Sequence, residues 1–230
     1  MMVDVQNLTM KYQGTWALRD ISLQVEAGRV LGLLGENGSG KSTLLRILAG
    51  VTRPTRGSVA LNGQPVGVRT QKFVSFLPEV DPFYAWMTVR ETLEFLSAFY
   101  PDWDRHKARE LVRFMGLPED RKVGELSRGQ RARVKVVFAF SWPSSLVLMD
   151  EPLGGFDPPS RRKILSAMFR EFRLGEQTIL VSTHLVSEIE EFVEDVVYLR
   201  EGEIALRGNA DELREDRGAS LSGIFEEVAT

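Results

Sequence analysis

The chain has 230 residues, 43% hydrophobic and 27% charged, an ordinary balance for a soluble globular protein with one substantial core or a core and a small subdomain. With 29 Lys and Arg against 32 Asp and Glu, the net charge of −3 gives no global case for nucleic-acid binding. There is no cysteine, which excludes disulfides and thiolate metal sites and fits a cytosolic setting. No stretch approaches the roughly 20 apolar residues of a membrane span, and the N-terminus has no signal-peptide pattern. Any work at a membrane therefore needs a partner to supply the membrane part.

Residues Val3 to Tyr12 alternate in polarity and predict an edge strand, and Asp20 to Glu26 alternates again. Tyr12 lies on the turn between them. An aromatic there fits two roles, stacking on a nucleobase or covering a strand end. Val30–Leu34 is an apolar run that reads as a buried strand, and Leu44–Gly50 reads as a helix closed by glycine. Between them stands Gly35-Glu36-Asn37-Gly38-Ser39-Gly40-Lys41-Ser42-Thr43, the pattern G-x-x-x-x-G-K-[ST]. Glycines let such a loop turn successive N–H groups inward, and the helix start adds a partial positive charge. Lys41 is placed to reach terminal phosphates and the Ser42 hydroxyl to bind Mg2+. By average residue frequencies the pattern arises by chance about once in a hundred chains of this length, and the flanking strand and helix lower that further.

Ser58 to Asn62 and Phe73 to Leu77 read as strands, with turns at Arg53–Gly57 and Asn62–Pro65. From Thr88 onward the signals are helical. Thr88-Val89-Arg90-Glu91 is a capping box, and Leu93, Leu96 and Phe99 continue an apolar face. Tyr100–Asp104 breaks that helix, and another runs from Asp104 to Met115 and stops at Gly116. Residues 80–140 thus read as a helical insertion in an α/β domain that spans 1–230. Inside it, Ser127 of Leu126-Ser127-Arg128-Gly129-Gln130 is a natural cap for the helix that follows, Arg131 to Phe140.

Leu146–Glu151 is a buried strand ending in two acids. Adjacent carboxylates at a strand end are costly unless a cation or ligand uses them. Asp150 fits a Mg2+ partner and Glu151 a base that orients an attacking water. Thr178 to Thr183 is the next buried strand, with His184 at its end, suited to a phosphate contact or to a structural hydrogen bond. His106, in a charged helix, reads as solvated. Asp195–Arg200 and Glu203–Arg207 form a predicted hairpin around Glu201-Gly202, followed by helices at Ala210–Arg217 and Ser220–Val228.

These motifs, in this order, make the chain resemble the ATP-binding subunit of an ABC (ATP-binding cassette) transporter nearly end to end. Tyr12 matches the family's adenine-stacking aromatic, and Ala17 sits where the base or ribose is often contacted. Gly35, Asn37, Gly38, Ser39, Gly40, Lys41, Ser42 and Thr43 match its phosphate loop. Leu126–Gln130 matches its signature, with Ser127, Gly129 and Gln130 facing nucleotide. Asp150 and Glu151 match its magnesium-binding and catalytic acids, Gly155-Phe156-Asp157 its D-loop and His184 its switch histidine. Glu79 stands where the family has glutamine, which places a carboxylate near the triphosphate as a possible Mg2+ ligand. Arg128 replaces a signature glycine, and Gly154 a common serine.

The resemblance implies a P-loop NTPase core, a mostly parallel sheet flanked by helices, with an antiparallel β subdomain and the inserted α-helical subdomain. It implies ATP and Mg2+ held between two subunits, the phosphate loop from one and Ser127 and Gly129 from the other. Glu151, His184 and Lys41 would carry hydrolysis, with Ser42, Asp150 and Glu79 around the metal. The partners it implies are transmembrane permease subunits and a second ATP-binding subunit, at the cytoplasmic face of the cell membrane, with no nucleic acid. Cassettes that act on nucleic acid or the ribosome typically add tandem domains, coiled coils or zinc sites, which this chain lacks. A small-molecule kinase would lack Leu126–Gln130 and His184. A cassette that regulates a membrane complex without moving cargo is the alternative.

Overall fold

The computed structural model describes residues 1–153 and 176–229, together with Arg161, Ile164, Leu165 and Met168. They divide into two compact units. One takes residues 1–76, 145–151 and the described part of 173–230; the other takes 77–144 and the described part of 152–172.

The strands in chain order are β1 (Val3–Tyr12), β2 (Thr15–Val25), β3 (Val30–Leu34), β4 (Arg56–Leu61), β5 (Gln64–Pro65), β6 (Val74–Leu77), β7 (Leu146–Asp150), β8 (Thr178–Thr183), β9 (Asp195–Arg200) and β10 (Glu203–Asn209). The helices are α1 (Lys41–Leu48), α2 (Val68–Gln71), α3 (Val89–Ser97), α4 (Arg105–Met115), α5 (Arg128–Phe140), α6 (Val186–Ile189), α7 (Ala210–Arg217) and α8 (Leu221–Ala229). Among the described residues no helix is long and apolar enough to cross a membrane.

The first unit holds two sheets. An antiparallel sheet runs β2-β1-β4-β5. Its register sets Val3 against Val25, Val5 against Leu23 and Leu8 against Ile21, so the apolar side chains share one buried face. The alternation of β1 is therefore real, but β1 is an interior strand and not an edge. Period-two polarity reports which face meets water, whereas an edge is set by hydrogen bonding in the perpendicular direction. β1 is paired on both sides, by β2 and by β4.

The second sheet runs β10-β9-β3-β8-β7-β6. β9, β3, β8 and β7 are parallel, and β10 closes an antiparallel hairpin on β9. Every residue of β3, β7 and β8 is buried, which is why these strands read as continuous apolar runs. Glu201 (φ 50°) and Gly202 (φ 82°) turn the hairpin with two consecutive left-handed residues, the geometry that matches strand twist. One apolar cluster joins β1 and β2 to the parallel strands and α1, through Leu8, Ile21, Leu33, Leu45, Leu148 and Leu180.

In the second unit α3, α4 and α5 each start on a side-chain cap. Thr88 accepts from the Glu91 N–H at 3.1 Å while the Glu91 carboxylate accepts from the Thr88 N–H at 2.8 Å. The Thr88 N–H, followed by the Thr88 hydroxyl, which also donates to it at 3.0 Å, pulls the Glu91 carboxyl below its usual range. Asp104 accepts from the His106 and Lys107 N–H groups at the start of α4, and Gly116 (φ 62°) ends that helix in a left-handed turn. The Tyr100–Asp104 break does more than interrupt a helix. Tyr100 lies 4.6 Å from Trp142 and 5.4 Å from Phe138, ring centre to ring centre, and builds an aromatic interior. Burial pushes the Tyr100 hydroxyl above its usual pKa. The apolar face of α3 stops short of the expectation, because the helix ends at Ser97 and Phe99 is exposed.

Candidate functional site

The site in the first unit is assembled by sheet register. Leu34 at the end of β3 lies opposite Thr183 on β8 and Tyr198 on β9, and Asp150 at the end of β7 lies opposite Ser182. The carboxyl ends of adjacent parallel strands therefore release the Gly35–Thr43 loop, Glu151 and His184 at one edge of the sheet, where ligands bind in open α/β sheets. A cavity of about 440 Å³ lies beside the loop, lined by Gly35, Glu36, His184, Leu185, Tyr198 and Phe225. Tyr198 stacks on Phe225 at 5.0 Å, and burial, followed by the nearby Glu36 carboxylate, raises its hydroxyl above the usual value.

The loop is held from outside. The Arg19 N–H donates to the Gly202 carbonyl at 2.8 Å, and the Gly202 N–H donates to the Ser39 carbonyl at 3.1 Å. Gly40 precedes α1 with φ 108°, and a Cβ there would meet the Ala17 carbonyl oxygen at 2.5 Å. That close approach is what Ala17, on β2, contributes here. Gly40→Ala is expected to lower folding stability by about 3 kcal/mol, since it adds both a disfavoured φ and a backbone clash. Denaturant unfolding checks this; unchanged stability would show that the loop yields at no cost. Lys41 and Ser42 form the first turn of α1, one turn earlier than the apolar pattern alone suggests, because Gly40 supplies the left-handed start.

Lys41 is 5% exposed. Its Nζ donates to the Gly35 carbonyl at 2.7 Å and the Glu36 carbonyl at 2.9 Å, and lies 3.5 Å from Glu151 Oε1. Ser42 and Ser182 both donate to Asp150 Oδ1 at 2.8 Å. Asp150 is 1% exposed, and its Oδ2 has no hydrogen-bond partner. Glu151 stands at φ 46°, a left-handed conformation uncommon for a residue with a side chain. Its N–H donates to both the carbonyl and the hydroxyl of Ser182 at 3.1 Å, which holds that turn. Glu151 Oε2 lies 3.1 Å from His184 Nδ1, whose N–H donates to it.

These groups suit a metal bound to a phosphorylated ligand. Asp150 presents a buried, unpartnered oxygen beside the Ser42 hydroxyl. No cluster of three or more acidic, His or Cys side chains that could hold an ion is found among the described residues. A carboxylate oxygen beside a hydroxyl suits a hard cation such as Mg2+, which takes few protein ligands and completes its shell with water and phosphate oxygens.

Tyr12 ends β1 at the tip of the β1–β2 hairpin and is exposed. Nearby Trp16 is also exposed, with Lys11 Nζ 4.6 Å over its ring. The remaining described site residues lie in the second unit. Ser127 caps α5, accepting from the Gln130 N–H at 3.2 Å, and Gln130 Oε1 accepts from the Ser127 N–H at 3.0 Å. Gly129 lies in the first turn of α5. Glu79 is exposed in the segment after β6. Gly154, Gly155, Phe156 and Asp157 lie outside the described residues.

Two features were not read from the sequence. Ser182 supplies a second hydroxyl to Asp150, signalled only by a polar residue inside the apolar run Thr178–Thr183. Lys135 is buried in the middle of α5 and donates to the Pro78 and Glu79 carbonyls at 2.9 and 3.0 Å. Its signal was a lysine flanked by Val134, Val136 and Val137. Burial lowers its pKa, and the Asp81 charge acts the other way.

A strand, a glycine-rich loop wrapped on a lysine, and a helix whose first serine meets a buried aspartate define a P-loop nucleotide-binding protein. Comparison with known proteins narrows the class. The family model described as "ABC transporter" matches residues 18–154. The ATP-binding protein NatA of an ABC transporter of Bacillus subtilis is 35% identical over 225 residues, covering 91% of this chain and 89% of that protein. The ATP-binding protein YtrB of the same organism is 30% identical over 217 residues, covering 94% and 74%. A solved ATP-binding subunit of an ABC transporter superposes with a TM-score of 0.88 at 27% identity over the whole of both chains. A dimeric ATP-binding cassette bound to ADP and Pi gives 0.82 at 24% identity, covering 91% and 99%. The chain belongs to the ABC transporter family, as an ATP-binding subunit.

Proposed function

We propose that this subunit hydrolyses ATP at an interface between two copies, or near copies, and so drives transport by membrane-spanning partners. The observation that carries this reading is the single edge where Lys41, Ser42, Asp150, Glu151 and His184 meet. The loop N–H groups and Lys41 Nζ bind the terminal phosphates, which requires Lys41 to exchange its carbonyl acceptors for phosphate oxygens. Ser42 Oγ and Asp150 Oδ2 would hold the metal, with Glu79 the further ligand that the family resemblance implies. When bound, Mg2+ offsets charge on the transferred phosphoryl group. Glu151 Oε2 orients the attacking water and accepts its proton. His184 fixes that carboxylate through Nδ1. It can also donate from Nε2 to a phosphate oxygen only as the imidazolium, since the neutral ring has one N–H.

Tyr12 and Ala17 receive the nucleoside. The partner copy supplies Ser127, Gly129 and Gln130 to the γ-phosphate. The membrane partners dock on the second unit. There Tyr84, Trp86, Phe95 and Phe99 are exposed and form a run of neighbouring rings 5.1–6.0 Å apart, a continuous apolar surface that suits a partner. On this reading the protein works at the cytoplasmic face of the cell membrane.

The test is association. A Glu151→Gln variant saturated with MgATP is expected to shift from monomer to dimer by light scattering. A strict monomer, free and in the presence of its membrane partners, overturns the reading.

A further inference from the structure

The helix that begins at the Ser127 cap also grips the segment that carries Glu79. Between the end of β6 at Leu77 and the start of α3 at Val89 the chain has no regular strand or helix. The shape of Pro78–Asp81 must therefore come from contacts made by other elements. Two cations on successive turns of α5 supply them. Lys135 Nζ donates to the Pro78 carbonyl at 2.9 Å and the Glu79 carbonyl at 3.0 Å, and lies 3.7 Å from Asp81 Oδ1. Arg131 Nε donates to Asp81 Oδ2 at 2.6 Å, and its Nη1 donates to the Leu126 carbonyl at the residue before the Ser127 cap. Asp81 is thus held between two charges four residues apart on one helix face.

The lysine side chain is only 9% exposed. A buried ammonium costs more than an apolar side chain of similar length unless its partners compensate, so packing alone does not account for it. Its partners here are mostly backbone carbonyls of an irregular segment. Their positions, together with that of the Asp81 side chain, are what Lys135 fixes.

We infer that Lys135, with Arg131 and Asp81, is a positioning residue that sets the backbone at Glu79 and ties it to the Ser127 end of α5. Any tilt of α5 then moves the Glu79 backbone and the signature cap together. The inference rests on the reading of Glu79 as a Mg2+ ligand.

The absence of cysteine makes the test clean. Val80 is 70% exposed, so Val80→Cys carries one nitroxide label on the segment. In the full chain, Lys135→Met is expected to speed the motion of that label, and Lys135→Arg to restore it. A spectrum unchanged by Lys135→Met overturns the clamp. The second readout is the Mg2+ concentration giving half-maximal ATP hydrolysis. Lys135→Met is expected to raise it about tenfold, as loss of an outer-shell group does. No further rise is expected when Lys135→Met is added to Glu79→Ala. Additive shifts overturn a role exerted through Glu79. If Glu79→Ala alone leaves the Mg2+ dependence at the wild-type value, the metal reading of Glu79 fails, and the clamp is decided by the label. Should Lys135→Met fail to fold, Asp81→Asn, which weakens the same clamp from its other side, is read by the same criteria.

Discussion

Replacing Glu151 with glutamine is expected to lower ATP turnover by about 10³-fold while nucleotide binding survives. The amide keeps the volume and can still accept from His184, now 3.1 Å from Oε2. It cannot take a proton from water. The substitution also removes the charge 3.5 Å from Lys41 Nζ, which still has the Gly35 and Glu36 carbonyls as acceptors. Lys41 is then easier to transfer to a phosphate, and one negative charge near the triphosphate is gone. Affinity for ATP should therefore hold or rise. Steady-state phosphate release and equilibrium binding measure the two halves separately; hydrolysis at the wild-type rate would refute Glu151 as the base.

Lys41→Met has the second largest expected effect, a loss of about 10²-fold in ATP affinity, the worth of a charge-assisted hydrogen bond at this site. The lysine does two jobs in the structure. It wraps the loop through two carbonyls, and it stands 3.5 Å from Glu151, whose side chain is 8% exposed. Methionine leaves that carboxylate buried without its cation. A fall in folding stability of about 3 kcal/mol should accompany the loss of binding. Calorimetric titration with ATP and thermal unfolding of the free chain distinguish the two. Wild-type affinity in a stably folded variant would remove Lys41 from the phosphate site.

The central part of the site was legible because it is contiguous. Val30–Leu34, the loop and α1 form one stretch of chain, and strand, glycine loop and lysine-serine pair specify each other locally. Asp150, Glu151 and His184 were legible for a related reason. A parallel strand buried on both faces reads as an apolar run, and the polar residue that ends it marks the ligand edge. The caps at Thr88 and Ser127 were equally visible, since each is a bond between residues three apart.

The sequence by itself determined the glycine-rich loop, the acids and histidine that end its neighbouring strands, and the caps at Thr88 and Ser127. Each of these depends on residues close together in the chain. Only the tertiary structure decided that β1 lies inside its sheet, because hydrogen-bonding partners along a strand edge leave no mark on side-chain polarity. It alone brought Ser182 to Asp150 across 32 residues and Lys135 to Pro78 across 57. Such contacts are fixed by register and by the burial of whole elements, and a polar side chain set in an apolar run announces that it needs a partner without saying which.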